Sequence, residues 1–529
     1  MFSCNSNQSV SFAKFADAYK NWALKKYPVK SLKYNIDSFR GDLHDFSLSN
    51  QRDISDDAKR FLIELTQIVP TKLSDQEIYT YNLIEKDINR QIFEIDKLKR
   101  YLWDHNIYLD NILLSIKILR NDKSIDEDRN YELLCTIIDQ SINTLNTSKD
   151  NISLKYLSLE NLAKIKIMDI MLELNKAASR YNFDIDRTNY LNSKINNLNN
   201  QLNIFQYWLK NDYSKLQELN FSEMINYDNY YHAFVGDTYS FLNVEKLALK
   251  KIYSLQNKMF TLSYPLYLEN NDKPILIDRL DSLNVISKVI YEETGRNNLS
   301  NLCYNSVNKI KDLLSRKKII DLNEYSSKIK LNISLNNNFS DYSDLLSVSS
   351  IYNKLDSIYI EVKDISIDKK GSLYYNNQVF IETFLKVIPG SSYLQFESVN
   401  NNFVERMVGN QLIEFGWPYY LLSNSNDYFD DSLKLSSLHN ELIVTVGAYI
   451  ENKLLNNEYT FDKCSRNFIE LAVLNEQNSL NKISKLLNFD LNYNRSFVGA
   501  NQLNMYKDLF INDGGTLLKF NSQVLDYNY

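Results

Sequence analysis

Glycine and proline are scarce in this chain, at 11 and 6 of 529 residues. Residues 71–235 contain neither, a pattern hard to reconcile with anything but long helices, because these two residues are the usual breakers of helical runs. Histidine and cysteine are rarer still, at 4 each. Cys4, Cys135, Cys303 and Cys464 stand far apart with no CxxC spacing, which excludes a zinc ribbon and argues against a disulfide framework. His44, His105, His232 and His439 show no HxxxH or HxH spacing. The apolar runs fall far short of the ~18 residues a membrane helix needs. A net charge of -6 with no basic arm excludes nucleic acid from the expected partners.

What is present is a soluble composition, 44% hydrophobic and 24% charged, with 38 tyrosines. The period of the apolar residues is mostly helical. Phe12, Phe15, Ala16, Tyr19, Trp22 and Ala23 share one face of a helix that stops before Pro28, and Asp57 to Val69 is a second helix closed by Pro70. Ser74 and Glu77 form a capping box. The face behind it runs Tyr81, Ile84, Ile88, Ile92, Ile95, Leu98 and Leu102. A cleaner seam is Leu191, Ile195, Leu198, Leu202, Phe205 and Leu209, read as packing within one globular body rather than a coiled-coil dimer. Further helices are expected over 107–119, 131–145, 157–181, 244–261 and 279–294. Cys135, in YELLCTIID, reads as a small buried hydrophobe.

After residue 315 the pattern changes. Ile329 to Leu335 and Ile358 to Ile367 alternate apolar with polar residues, and Gly371 to Asn377 (GSLYYNN) follows, so a small sheet is predicted at about 325–377. Eight of the 11 glycines lie from Gly371 onward, which concentrates tight backbone geometry in the last third of the chain. At the other end, MFSCNSNQ resembles the end of a bacterial lipoprotein signal, with Cys4 as the lipidated residue and a polar tether behind it. The expectation is an envelope lipoprotein facing the periplasm, with the membrane reached only through Cys4; otherwise the protein is cytoplasmic.

Several segments, in their order along the chain, resemble the bacterial domain-of-unknown-function 885 family, zinc-peptidase-like proteins that are often lipoproteins. They are YKNWALKKYPVKSLKYNIDSFRGDLHDFS, LSDQEIYTYNLIEKDI, VEKLALKKIYSLQNKM, GSLYYNN and INDGGTLLKFNSQVL. The resemblance implies a mainly α, gluzincin-like helical scaffold with a deep groove. The implied organisation is a tether over 1–11, a helical half over 12–315, and a small sheet with the metal-site half over 316–529. The family's HExxPGH motif, followed by Gln, corresponds to LKVIPGSSYLQ here. Aligning Pro389 and Gly390 puts Leu385 at the first His and Lys386 at the Glu. Ser391 or Ser392 takes the second His, and Phe415 the Glu of a later EGWA-like segment, unless Glu414 supplies it through a shift.

Zinc requires three protein ligands and an open position for a water whose pKa falls to about 7. Leucine cannot ligate, serine ligates poorly, and a lysine at the general-base position has the wrong charge for proton abstraction beside a dication. No catalytic residue, metal or cofactor is therefore expected. The leading expectation is a catalytically degenerate peptidase-like protein binding a peptide-like ligand or protein partner in a groove lined by Tyr375, Ser391, Ser392, Gln395, Glu414, Trp417 and Tyr420. The tyrosine pairs Tyr230/Tyr231, Tyr374/Tyr375 and Tyr419/Tyr420 would suit such a groove. One alternative is an active zinc hydrolase built from Glu382, Glu397, Glu414 and His439, although His439 reads as a solvated or capping residue. A second is a purely structural envelope protein. Ser391 and Ser392 lack a nucleophile elbow and read as turn or cap residues, and Asp513 to Gly515 reads as a C-terminal turn.

Overall fold

The computed structural model describes residues 2–34, 36–122, 125–156, 159–181, 184–220, 226–236, 240–291, 299–322, 331–336, 346–348, 358–363, 373–398, 402–456, 458–487 and 489–527. The fold is mainly α, as the scarcity of breakers predicts. Two compact units divide it, residues 1–226 with 402–408, and residues 227–401 with 409–529. The change of periodicity at 315 falls inside the second unit rather than at this boundary.

The first unit begins with α1 (Phe2–Lys26), which covers most of the stretch read as a tether, followed by α2 (Pro28–Lys33) and α3 (Leu48–Thr66). Pro28 opens α2 at a position where a missing N–H costs nothing. The predicted capping box starts α4 (Asp75–Phe93), with Ser74 accepting from the Glu77 amide and Glu77 returning the bond. The apolar face read through Leu102 does not continue as one helix. It widens into a π-turn over Glu94–Leu98, and Lys99 turns left-handed at φ 46. The cause is tertiary: Trp103 is fully buried and its indole N–H donates to the Leu98 carbonyl at 2.8 Å, pulling the chain off the helical path.

Next come α5 (Asn106–Asn121), α6 (Glu127–Asn151), α7 (Leu159–Ala178) and α8 (Ile185–Asn211), joined at one edge by two parallel residue pairs between β1 (Leu154–Lys155) and β2 (Gln217–Glu218). All six seam residues of α8 are buried in the core shared with α5, α6 and α7, so packing within the unit explains their spacing. Cys135 lies in the same core.

The second unit contains α9 (Tyr227–Phe234), α10 (Phe241–Asn270), α11 (Arg279–Ile290) and α12 (Leu299–Arg316). Helix α10 runs on past the predicted end at Thr261 and carries Pro265 inside it. The sheet has the order β3-β5-β4, with β3 (Leu331–Asn336) parallel to β5 (Ile358–Lys363) and β4 (Leu346–Val348) antiparallel to it. Strand β4 carried no clear alternation in the sequence. From Leu373 onward the expected strand at GSLYYNN is instead a helix, α13 (Leu373–Lys386), because Val379, Phe380, Ile381, Phe384 and Leu385 bury at helical spacing. Residues 325–330, 337–345, 349–357 and 364–372 of the predicted sheet region lie outside the described residues.

The chain continues through α14 (Ser391–Ser398), α15 (Phe403–Val408, part of the first unit), α16 (Gln411–Ser425), α17 (Asp431–Leu455), α18 (Phe461–Ala472), α19 (Glu476–Leu486), α20 (Asn492–Asn512) and α21 (Leu517–Tyr527). The late glycines serve helix contacts as much as turns. A Cβ on Gly416 of α16 would stand 2.4 Å from the Gly499 backbone of α20, and one on Gly499 would stand 2.0 Å from the Leu412 carbonyl oxygen. Only paired glycines permit that crossing. Asp513 and Gly514 form the C-terminal turn of α20, as expected. Among the described residues, no helix is long and apolar enough to cross a membrane.

Candidate functional site

The junction between α13 and α14 holds the residues to which the resemblance assigns a metal site. The chain leaves α13 with the amides of Val387 and Ile388 both donating to the Thr383 carbonyl, passes a cis Ile388–Pro389 peptide, and enters α14 with Leu394 N–H donating to Gly390 O at 3.1 Å. Gly390 is confined by its own turn: an added Cβ would lie 1.8 Å from the Leu385 carbonyl oxygen. Gly390 is therefore required here by backbone geometry alone.

The side chains around the junction form a core. Leu385 is buried with Phe380, Phe384, Ile388, Leu394 and Trp417 in one apolar cluster. Trp417, from α16, is fully buried and donates its indole N–H to the Pro389 carbonyl at 2.9 Å. Tyr420 is also fully buried; its hydroxyl donates to Asn521 Oδ1 at 2.7 Å, and Asn521 Nδ2 donates to Ile319 O at 2.8 Å. Trp417 and Tyr420 thus do not line an open groove, which corrects their expected role. The physical reason is that both polar tips find partners inside the unit, so the rings can be withdrawn from water. Tyr230 and Tyr231 are core residues too, whereas the side chains of Tyr374 and Tyr375 lie outside those described.

The remaining expected groove residues are spread around this core. Ser392 is buried; Ser391 is half-buried at the start of α14, its hydroxyl 3.4 Å from the Leu385 carbonyl oxygen. Gln395 and Glu414 are half-buried. Phe415 is half-buried with the Arg495 guanidinium 5.6 Å from its ring.

Lys386, at the general-base position, pairs with Glu382 one turn earlier at 2.9 Å. Glu382 is itself buried and faces Cys303, whose thiol is pushed up to about 12 by burial and then by that carboxylate. His439 is fully buried rather than solvated: its Nε2 lies 2.7 Å from the Ala472 carbonyl oxygen, and burial lowers its pKa to about 4. Among the described residues, no three His, Cys, Asp or Glu side chains converge as a metal would need, so Glu382, Glu397, Glu414 and His439 are not assembled into a site. The residues at the junction do not fit zinc.

One titratable group escaped the sequence reading. Glu451, in the apolar context AYIENKLL of α17, is buried and accepts the Asn494 backbone N–H at 2.9 Å and its amide at 2.7 Å. Burial raises its pKa to about 7 against the lowering effect of those bonds and of Arg495. It caps the start of α20, a structural duty that its lone position in a helical run did not signal. Cys4 lies within α1, its side chain outside those described.

No family model matches the chain, and no curated protein matches it. Two solved structures share the fold. A protein of unknown function from Shewanella oneidensis, provisionally assigned as a lipoprotein, superposes with a TM-score of 0.76 at 16% identity, covering 98% of this chain and 97% of its own. A second provisionally assigned lipoprotein, from Colwellia psychrerythraea, superposes with a TM-score of 0.76 at 11% identity, covering 99% and 97%.

Proposed function

We propose that this chain is a non-hydrolytic protein of the bacterial cell envelope, built on a peptidase-like scaffold, that binds a peptide-like ligand or a protein partner. The observation that carries the non-hydrolytic part is the junction itself. The positions the motif would give to two ligands and a base hold a buried Leu385, a Lys386 ammonium paired with Glu382, and the serines at the start of α14. A cation at the base position cannot accept a proton from water, and Trp417 and Tyr420 occupy the space with core packing. The envelope part rests on MFSCNSNQ at the N-terminus and on the two provisionally assigned lipoproteins of the same fold.

A mixed peptide library incubated with the purified chain tests the first part. The expected outcome is no cleavage with or without a chelator; cleavage that the chelator abolishes would sink it. Acyl-chain labelling of a full-length precursor tests the second. Label on the wild type and none on Cys4→Ser is expected, and equal label on both would reject Cys4 as the anchor.

A further inference from the structure

We infer that the ligand surface of this protein is a groove in the first unit and that its occupant is an acidic peptide carrying apolar side chains. The inference rests on the peptide-binding reading above and locates it. The groove encloses about 740 Å³, in the range of sites that seat a peptide side-chain cluster or a small molecule. Its walls are aromatic rings from three segments: Trp22 on α1, Phe39 on the turn after α2, and Phe403 on α15. Leu24 and Ile36 add apolar surface, and Lys20 and Lys25 stand among the lining residues.

Three observations point to an anionic, apolar occupant. The first is charge. The cations that line the groove are Lys20 and Lys25; of those nearby in the chain, Lys30 faces Asp87 and Arg40 pairs with Asp37. Lys20 is held by Asp17 and Lys26 lies near Asp57, whereas Lys25 is exposed and has no ion-pair partner among the described residues. The second is the chemistry of the walls. The indole N–H of Trp22 is already given to Asp57 at 3.0 Å and the Asn21 amide to Asp17 at 3.3 Å, so the groove offers rings and cations but few free hydrogen-bonding groups. That pattern suits apolar side chains flanked by carboxylates better than a sugar, whose hydroxyls need many partners. The third is backbone strain. Phe39 is a non-glycine residue in the left-handed region, at φ 64, and the residue is 36% exposed beside the groove. Strained residues cluster at ligand-binding sites, where the surroundings hold an unfavourable backbone in place.

The test uses the full chain and a fluorescein-labelled decapeptide alternating Glu with Leu and Phe, followed by anisotropy. A peptide with Lys in place of Glu and the polyanion heparin serve as comparisons. The expected result is saturable, salt-sensitive binding of the acidic peptide, weaker binding of the basic one, and no displacement by heparin. Lys25→Glu and Phe39→Gly should each weaken binding about tenfold or more. Phe39→Gly should keep a cooperative melt, because relief of the left-handed backbone offsets part of the burial lost with the ring. Full affinity in both variants would place the peptide site elsewhere and overturn this inference while leaving the peptide-binding reading intact. Displacement by heparin would make the groove a general polyanion surface and overturn it as well. Failure of every peptide to bind would overturn both.

Discussion

Two aromatic neighbourhoods of this protein use the same residue types to opposite ends. Around Trp417 the ring is fully buried, its N–H donates to the Pro389 carbonyl, and Tyr420 closes the remaining space. Around Trp22 the ring is half-buried, its N–H donates to Asp57, and the adjoining Phe39, on a left-handed backbone, is 36% exposed. A tryptophan whose polar tip is satisfied can serve either a core or a surface; what separates the two cases is whether neighbouring rings fill the remaining space or leave it open. The region around Pro389 and Gly390 is therefore filled by its own rings, whereas the region around Trp22 is the one proposed for contact.

The largest way to break that comparison is Gly390→Ala. A methyl group 1.8 Å from the Leu385 carbonyl oxygen cannot be housed without moving the junction, and denaturant titration should show a loss of about 4–5 kcal/mol or more in unfolding free energy. Near-wild-type stability would mean that the turn is looser than described. Trp417→Ala should cost about 3–5 kcal/mol through the cavity it leaves. Trp22→Ala, at a half-buried position, should cost about 1–2 kcal/mol. Equal losses in urea titrations of the two variants would erase the distinction drawn between the two neighbourhoods.

Next in size is a proton linkage confined to the second unit. Glu451 has a folded pKa raised to about 7 from an ordinary 4.5, chiefly by burial, so the folded state holds the proton more tightly than the unfolded chain. Its contribution to stability is fully present below the unfolded value and is lost as pH rises through 7, an effect of about 3 kcal/mol. Glu451→Gln should flatten that part of the stability profile between pH 4.5 and 7, and an unchanged slope would remove Glu451 as its source. Asp87 in the first unit runs the other way. Lys30, Arg90 and the Tyr19 hydroxyl outweigh its burial and hold it at about 2, so its contribution is present above the ordinary carboxylate range and fades as pH falls toward 2. The smallest effect expected is on Lys25→Glu, an exposed change that should leave stability within about 0.5 kcal/mol while altering peptide binding.

Much of this was legible in the residues, and what was not has identifiable causes. The α8 seam and the Ser74–Glu77 box emerged at the predicted positions because periodicity and capping are local properties. The helix break at Lys99 was not legible, since it depends on where Trp103 is buried. GSLYYNN carries strand-favouring tyrosines, but the apolar spacing of the residues after it decides its structure. LKVIPGSSYLQ resembled a metal motif without its ligands, and sequence alone could not say whether its residues line a groove or fill a core. The unit 1 groove draws Phe403 from far along the chain to the neighbourhood of Trp22 and Phe39, and no spacing rule connects such positions.

The central claim is that the junction at Pro389 and Gly390 is packed core without zinc chemistry. Elemental analysis of the purified full chain, after dialysis against a zinc-containing buffer and then a metal-free one, tests it most directly. No stoichiometric zinc should be retained. One tightly held zinc per chain, released by Glu382→Gln or His439→Ala, would contradict it.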